Sequence, residues 1–244
     1  KCFHWKEFFA PIEPTFDSST AIDLYQLADR LSSLMPSSST LITDSGLIEV
    51  ILPSNIRFRD GDVCIHPASQ GAMGFALPAA IGAQHANDGI VVAVIGDGSI
   101  MMNLQELESI RHQRLPIKII VVNNNMYSII RKRQRDLFRK RTVGTDPQNG
   151  VSCPDFSQVA ECFGLGYQRI ETVSSLDDGL RTLFAHPGPM LCEIIGREDQ
   201  EYVELGHARS ATDGRSVRRP LEDQVPFLDR DVFLREMLIE PIDQ

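Results

Sequence analysis

The sequence predicts an α/β fold: a doubly wound, mainly parallel sheet of about six strands with helices on both faces. Residues 90–95 and 117–122 are apolar runs of about six residues, and a short polar loop follows each of them. A continuous apolar run, without alternation, is typical of a strand that is buried on both faces. The segment between the two runs has helical spacing, so together they indicate a β-α-β unit with a right-handed connection.

The spacing of apolar residues predicts the other elements in order. A helix is expected over 20–35, with Thr20 as its N-cap and Asp23 three residues on. A second capping pair is expected at Asn103 and Glu106, where the helix of the β-α-β unit begins. The remaining expected elements are strands at 40–43, 63–65, 167–170 and 190–195, helices within 71–82 and at 155–163 and 175–185, and an exposed loop at 144–154.

Composition excludes several classes of protein. The chain has 244 residues, 42% of them hydrophobic, and a net charge of −9, which is typical of a soluble globular protein and argues against nucleic-acid binding. No apolar run approaches the ~20 residues of a membrane span. The five cysteines form no C-x-x-C pair, so we expect free thiols, a cytoplasmic location and no zinc or iron–sulfur site.

We expect three segments: a lead-in at residues 1–19 with irregular structure, a domain at 20–196 and a C-terminal extension at 197–244. The chain begins at Lys1, and we expect it to be part of a longer one. Residues 131–141 are rich in Arg and Lys. Such a run is typical of a solvated helix face, and attraction of an anionic substrate or an acidic partner is the alternative.

The two polar loops of the β-α-β unit are candidates for a ligand site. Residues 96–99 read Gly-Asp-Gly-Ser, and residues 123–125 are three asparagines. Because the carboxyl ends of parallel strands meet at one edge of a sheet, Asp97 and Asn124 should be neighbours in space. Carboxylate and amide oxygens suit a magnesium ion that also binds phosphate. Taken alone, each loop could equally be a simple turn.

These loops resemble the diphosphate-binding signature of thiamine-diphosphate enzymes. The segment Gly-Asp-Gly-Ser-Ile-Met-Met-Asn-Leu-Gln-Glu-Leu at 96–107, continued by Leu-Pro-Ile-Lys-Ile at 115–119, is similar to the acetohydroxyacid (acetolactate) synthase branch. The resemblance extends over most of residues 20–241. It implies the thiamine-diphosphate-binding fold and, within it, the C-terminal diphosphate-binding (PP) domain, with thiamine diphosphate and Mg²⁺ as cofactors.

The resemblance also implies roles for individual residues. In that family a glycine carbonyl and a backbone N–H two residues later grip the aminopyrimidine ring, and the later side chain bends the cofactor. These roles carry over to Gly71 and Met73, although an isolated Met more often fills a gap in a core. Magnesium would be bound by Asp97, Asn124 and the main-chain oxygen of Met126, whose side chain should matter little. The expected cofactor-binding residues are Asp44, Ser45, Gly46, Gly71, Ala72, Met73, Gly96, Asp97, Gly98, Ser99, Asn124, Met126, Tyr127 and Ser128.

Two segments depart from the family pattern. Where relatives often carry Gln and His, this chain has Leu47 and Ile48, so residues 44–46 should contact diphosphate through the main chain. Glu49, which follows them, has no expected role. His66 and Gln70 stand in place of a run rich in serine and glycine, and we expect them to face substrate. A lone His after a strand is also commonly a structural hydrogen-bonding group.

The resemblance implies a 2-oxo-acid-decarboxylating carboligase with pyruvate as the default donor. The glutamate that activates the cofactor belongs to a separate pyrimidine-binding domain, so no catalytic residue is expected in this chain, which should be inactive alone. A homo-oligomer that includes this partner domain is expected. The alternatives are the small subunit of a split 2-oxo-acid decarboxylase, a part of a 2-oxo-acid:ferredoxin oxidoreductase, or a non-catalytic binding module that kept the fold.

Overall fold

The computed structural model describes residues 1–8, 21–200, 202, 207–209, 216–220, 222–223 and 227–240. The chain forms two compact units, residues 1–200 and 201–244. The predicted division at residues 19 and 196 stays a prediction. The lead-in is not irregular throughout, because Cys2–Phe8 is helical. No helix among the described residues is long and apolar enough to cross a membrane.

Helices and strands alternate along most of the first unit. Its helices are α1 (Cys2–Phe8), α2 (Leu24–Leu34), α3 (Leu47–Asn55), α4 (Ala76–Ala86), α5 (Asp97–Ile100), α6 (Glu106–His112), α7 (Ser128–Leu137), α8 (Phe156–Cys162) and α9 (Leu176–Ala185). Its strands are β1 (Thr40–Thr43), β2 (Val63–Ile65), β3 (Val91–Gly96), β4 (Lys118–Asn123), β5 (Gly166–Ile170) and β6 (Met190–Ile195).

The described strands of this unit form one six-stranded sheet with the order β2-β1-β3-β4-β6-β5. Every pair of neighbours is parallel, so the predicted parallel α/β sheet is confirmed. The chain leaves β1 toward one edge of the sheet and leaves β3 toward the other. The strand order therefore reverses between β1 and β3, and open α/β sheets bind ligands at such a point.

Alternate residues of the central strands face two helical layers. Ala93 and Ile95 of β3 belong to a core shared with α4, α6 and α8. The intervening Val92 and Val94 are equally buried and point to the opposite face, because side chains alternate along a strand. On that face α2 packs against α3 and α9, and α3 packs against β1. Burial on both faces explains why the strands are continuous apolar runs.

Both expected caps were wrong. Helix α2 begins at Leu24, and its capping box joins Asp23 to Gln26; Thr20 lies outside the described residues. At the start of α6 the N-cap is Gln105 and makes no side-chain cap. Asn103 instead donates from Nδ2 to the carbonyl of Gly74 at 2.9 Å. At α6, a partner distant in sequence therefore takes the Asn103 side chain away from the helix start.

The second unit is small and was expected only as a polar extension. It contains an antiparallel pair, β7 (His207–Arg209) and β8 (Ser216–Arg218), and a helix, α10 (Arg230–Glu236). The Asp229 side chain caps α10 by accepting from two backbone N–H groups. Asp223 is buried and accepts from Arg219 and from Arg230, the latter at 2.8 Å.

Candidate functional site

A cleft opens where β1, β3, β4 and β6 end. Every predicted cofactor-binding residue except Asp44, Gly71 and Ala72 lines it. The loops that follow four adjacent parallel strands supply most of the lining, as the sheet topology requires. The lining residues are Ile22, Leu24, Ser45, Gly46, Leu47, Ile48, Met73, Gly96, Asp97, Gly98, Ser99, Val122, Asn124, Met126, Tyr127, Ser128, Ile129, Ile130, Gly196, Arg197 and Gln200.

Asp97 joins the loop after β3 to the loop after β4. Its side chain is only 3% exposed; Oδ1 accepts from Gly98 N at 2.7 Å and Oδ2 from Asn125 N at 2.5 Å. The two loops are therefore neighbours, as predicted. Burial raises the pKa of Asp97 above its usual 3.8, while the backbone donors and the Cys153 thiol oppose that rise. The site thus holds a desolvated carboxylate within a ring of donors.

The three asparagines form a tight turn at the end of β4. Asn125 has a left-handed backbone, with φ of 58°. The Asn123 Oδ1 accepts from Asn125 N at 3.0 Å, and the Asn124 Oδ1 accepts from Met126 N at 3.3 Å. Asn124 also donates to the Ser128 hydroxyl. These bonds hold the Asn124 amide in the turn, and Asn124 lines the cleft.

Met126 departs from one expectation. Its side chain, which we expected to matter little, is buried, and its sulfur accepts a hydrogen bond from Arg131 Nη1 at 3.6 Å. A replacement of different volume would therefore disturb the packing beneath the turn.

Gly98 is required by a close approach of Tyr127. A Cβ at position 98 would lie 1.9 Å from Tyr127 Cε1 and 2.7 Å from Cδ1, far inside any real contact. The second glycine of the Gly-Asp-Gly motif therefore lets the ring of the next loop pack over the first. This packing is a second link between the loops, besides the hydrogen bond from Asn125.

Asp44 does not present its carboxylate to the cleft. The side chain is fully buried, and it accepts from Ser45 N at 2.9 Å, Gly74 N at 3.1 Å and Ala76 N at 2.8 Å. It therefore fixes the start of α4 against the end of β1. The carboxylate is thus occupied by backbone donors, and the expected main-chain contact of residues 44–46 with diphosphate stays a prediction. The neighbouring Ser45 hydroxyl does reach the cleft and lies 3.2 Å from that of Ser99.

Met73 is at the surface and does not fill a gap in the core. Its side chain is 37% exposed, and Met101 and Met102 are exposed to 40% and 50%. A Cβ at Gly74 would lie 2.8 Å from the Met102 Cβ, so Met102 adjoins the segment that carries Met73. We call the exposed methionines Met73, Met101 and Met102 the methionine rim; of the three, Met73 lines the cleft.

His66 and Gln70 are exposed and do not line the cleft. Glu49, a residue without an expected role, lies near this segment. A Cβ at Gly71 would lie 3.0 Å from Glu49 Oε2, so this carboxylate sits against the glycine predicted to grip the cofactor. Burial raises the pKa of Glu49, and the charge of His66 opposes that rise.

Sequence reasoning missed the residues that follow β6. Gly196, Arg197 and Gln200 line the cleft, and two of them are tied to the N-cap of α2. Arg197 Nη1 lies 3.2 Å from Asp23 Oδ2, and Gln200 Nε2 donates to the same oxygen at 2.9 Å. Their position directly after a predicted central strand was the available signal, since such residues reach the same sheet edge.

Comparison with known proteins gives a consistent result. Residues 44–194 match the family described as "Thiamine pyrophosphate enzyme, C-terminal TPP binding domain". The chain is 38% identical over 136 residues to an acetolactate synthase large subunit of Pyropia yezoensis, covering 54% of this chain and 22% of the relative. It is 34% identical over 170 residues to the acetolactate synthase isozyme 2 large subunit of Escherichia coli (strain K12), covering 69% of this chain and 30% of the relative.

A solved structure has the same architecture. The thiamine diphosphate-dependent 4-hydroxybenzoylformate decarboxylase of Rhodococcus jostii RHA1 matches with a TM-score of 0.67 at 28% identity, over 75% of this chain and 34% of that chain. The chain thus spans about a fifth to a third of the length of these relatives.

Proposed function

This chain belongs to the thiamine pyrophosphate enzyme family as its C-terminal cofactor-binding domain, and we propose that it serves a carboligase of the acetolactate synthase type that decarboxylates a 2-oxo acid, with pyruvate as donor. One observation carries the proposal: the Asp97 carboxylate is bonded to the asparagine turn inside a cleft at the strand-order reversal. The relatives named acetolactate synthase support the choice of reaction.

The cleft offers backbone donors for a diphosphate. Helix α3 begins directly after Gly46, and no side chain caps it. The free N–H groups of such a helix start attract anions. Gly46 has a φ of 83°, and a Cβ placed on it would meet nothing within 4 Å, so an anionic ligand can approach the main chain closely. The Ser45 and Ser99 hydroxyls complete a polar wall.

The oxygen ligands around Asp97 fit a magnesium ion. No cluster of three or more His, Cys, Asp or Glu suited to a metal exists among the described residues. One carboxylate, the Asn124 amide oxygen and the Met126 carbonyl supply hard ligands and leave positions for phosphate oxygens. We propose that these three residues hold Mg²⁺ against diphosphate.

Thiamine diphosphate, when bound, would supply a nucleophilic thiazolium ring that also serves as an electron sink for decarboxylation of a 2-oxo acid. The residues of this chain would anchor the cofactor and exclude water. Leu47 and Ile48 are buried and line the cleft, so their apolar side chains would help to exclude water from the bound cofactor. Met73 stands at the rim, in the position we propose for bending the cofactor.

The methionine rim is an argument for a partner domain that covers this surface. Three exposed methionines beside a cleft form an adaptable apolar surface of the kind that protein partners cover. We propose that the pyrimidine-binding domain covers this rim and brings the activating glutamate, within a homo-oligomer. Residues 1–244 alone are then expected to lack pyruvate decarboxylation, and adding that domain in cis or in trans should restore it. Cytoplasmic location stays a prediction.

The decisive experiment is calorimetric titration of the full-length protein with MgCl₂ in saturating thiamine diphosphate. Asp97→Ala should abolish measurable Mg²⁺ binding, whereas Asp223→Ala, which removes another buried carboxylate in the second unit, should leave it intact. Unchanged affinity in Asp97→Ala would contradict the metal assignment. Cofactor binding without product formation from pyruvate and candidate acceptors would favour a non-catalytic module over the carboligase.

A further inference from the structure

A buried carboxylate lies behind the asparagine turn, outside the cleft. Glu193, on β6, is 3% exposed. Its Oε1 accepts from Asn123 Nδ2 at 2.6 Å, and its Oε2 accepts from the Tyr167 hydroxyl at 2.5 Å. Among the described residues, Arg169 is the cation paired with it, with Nη1 3.9 Å from Oε2. Burying a carboxylate against mainly neutral partners is costly, so its bonds to Asn123 and Tyr167 must be well oriented.

The bond to Asn123 leads directly into the turn. The Asn123 Nδ2 is held by Glu193, which leaves Oδ1 of the same amide to accept from Asn125 N. That N–H also donates to Asp97 Oδ2 at 2.5 Å. The orientation of one amide therefore sets the position of the N–H that joins the two cofactor-binding loops. Without Glu193, the Asn123 amide would be free to rotate and to lose that bond.

We propose that Glu193 is a positioning residue for the metal site: it holds the Asn123 amide, and through that amide it fixes the turn that presents Asn124 and the Met126 carbonyl. Groups that orient metal ligands from behind typically contribute about 10- to 100-fold to metal affinity. This inference rests on the proposed function, because it concerns the same Mg²⁺ site.

The test uses the full-length protein and MgCl₂ titrations in saturating thiamine diphosphate. Glu193→Leu should weaken Mg²⁺ binding about 10- to 100-fold. Glu193→Gln keeps an oxygen for Asn123 and should retain the affinity within about threefold. The matched control is Lys118→Met. Lys118 is buried on the adjacent β4, and its Nζ donates to the Gly188 carbonyl at 2.8 Å, at the far end of the strand. It should cost stability without weakening Mg²⁺ binding.

Three results would overturn the inference: wild-type Mg²⁺ affinity in a folded Glu193→Leu protein, an equal loss in Lys118→Met, or no recovery in Glu193→Gln. Should Glu193→Leu fail to fold, Asn123→Ala cuts the same link at a half-buried position and must show the same weakening of Mg²⁺ binding. A wild-type protein that binds neither Mg²⁺ nor the cofactor would instead refute the proposed function. The two failures are therefore distinguishable.

Discussion

The close packing of Tyr127 on Gly98 gives a prediction that depends on the tertiary structure. In Gly98→Ala the added methyl group would lie 1.9, 2.7 and 3.0 Å from three carbons of the Tyr127 ring. Real Cβ contacts are longer, so the ring must leave its place. Tyr127 stands between Met126 and Ser128, which line the cleft. Displacement of the ring should therefore disturb the turn as well as the packing.

The size of the effect follows from two opposing contributions. Forcing an extra methyl group into a packed site costs about 1–3 kcal/mol, and a clash with a ring that must move belongs in the upper part of that range. Gly98 lies in the short helix α5, where alanine gains up to about 1 kcal/mol over glycine. We therefore expect the free energy of unfolding to fall by roughly 1–2 kcal/mol, and cofactor affinity to fall with it.

Urea denaturation and calorimetric titration of the full-length protein measure both quantities. Gly82→Ala is the matched control, because Gly82 lies within α4 and an added Cβ there would meet nothing within 4 Å. It should be neutral or gain up to about 1 kcal/mol. Combining Gly98→Ala with Tyr127→Ala should cost less than the sum of the single changes, because the clash is gone. Additive costs, or a Gly98→Ala protein identical to wild type, would refute the reasoning.

Three further predictions follow from exposure and charge. Met73→Ala should lower turnover at least tenfold. The melting temperature should change little, because the Met73 side chain is 37% exposed. A large fall in melting temperature with intact turnover would mean that Met73 is structural. Cys153, with a pKa of about 12, should resist iodoacetamide at pH 8 while the exposed Cys162 reacts, as peptide mass spectrometry will show. Burial raises the pKa of Glu49 above 4.5, so the protein loses the stabilisation by neutral Glu49 as the pH rises through that raised pKa. Glu49→Gln should therefore raise the melting temperature more at pH 7 than at pH 4. An equal effect of the substitution at both pH values would exclude this linkage.

The central strands and their order along the chain were predictable because these strands are buried on both faces. Thr40–Thr43, Val63–Ile65 and Met190–Ile195 have the predicted bounds, since a run of apolar residues ends where the chain leaves the sheet. Helix α3 was not predicted. Its sequence, with Pro53 inside the helix, has no clear apolar period, and it forms because α2 and β1 provide surfaces for it to pack on.

Most of the cleft was predictable for the same reason. Parallel strands bring their carboxyl-end loops together, so Asp97 and Asn124 could be paired from sequence alone. What each side chain does there could not be inferred in this way. Asp44 and Asp97 both follow central strands, yet the first is used entirely in fixing the start of α4, while the second reaches the cleft. Only the packed neighbours distinguish them.

The sequence by itself therefore determined the parallel sheet, the edge that carries the site and the motif residues at that edge. Periodicity and short-range spacing encode these features. The tertiary structure alone decided which groups meet across long separations: Leu24 with Gln200, 176 residues apart, and Asn123 with Glu193, 70 residues apart. Such bonds have no signature in the local sequence. They form because folding buries both polar groups away from water, and each group must then find its hydrogen-bond partner within the protein.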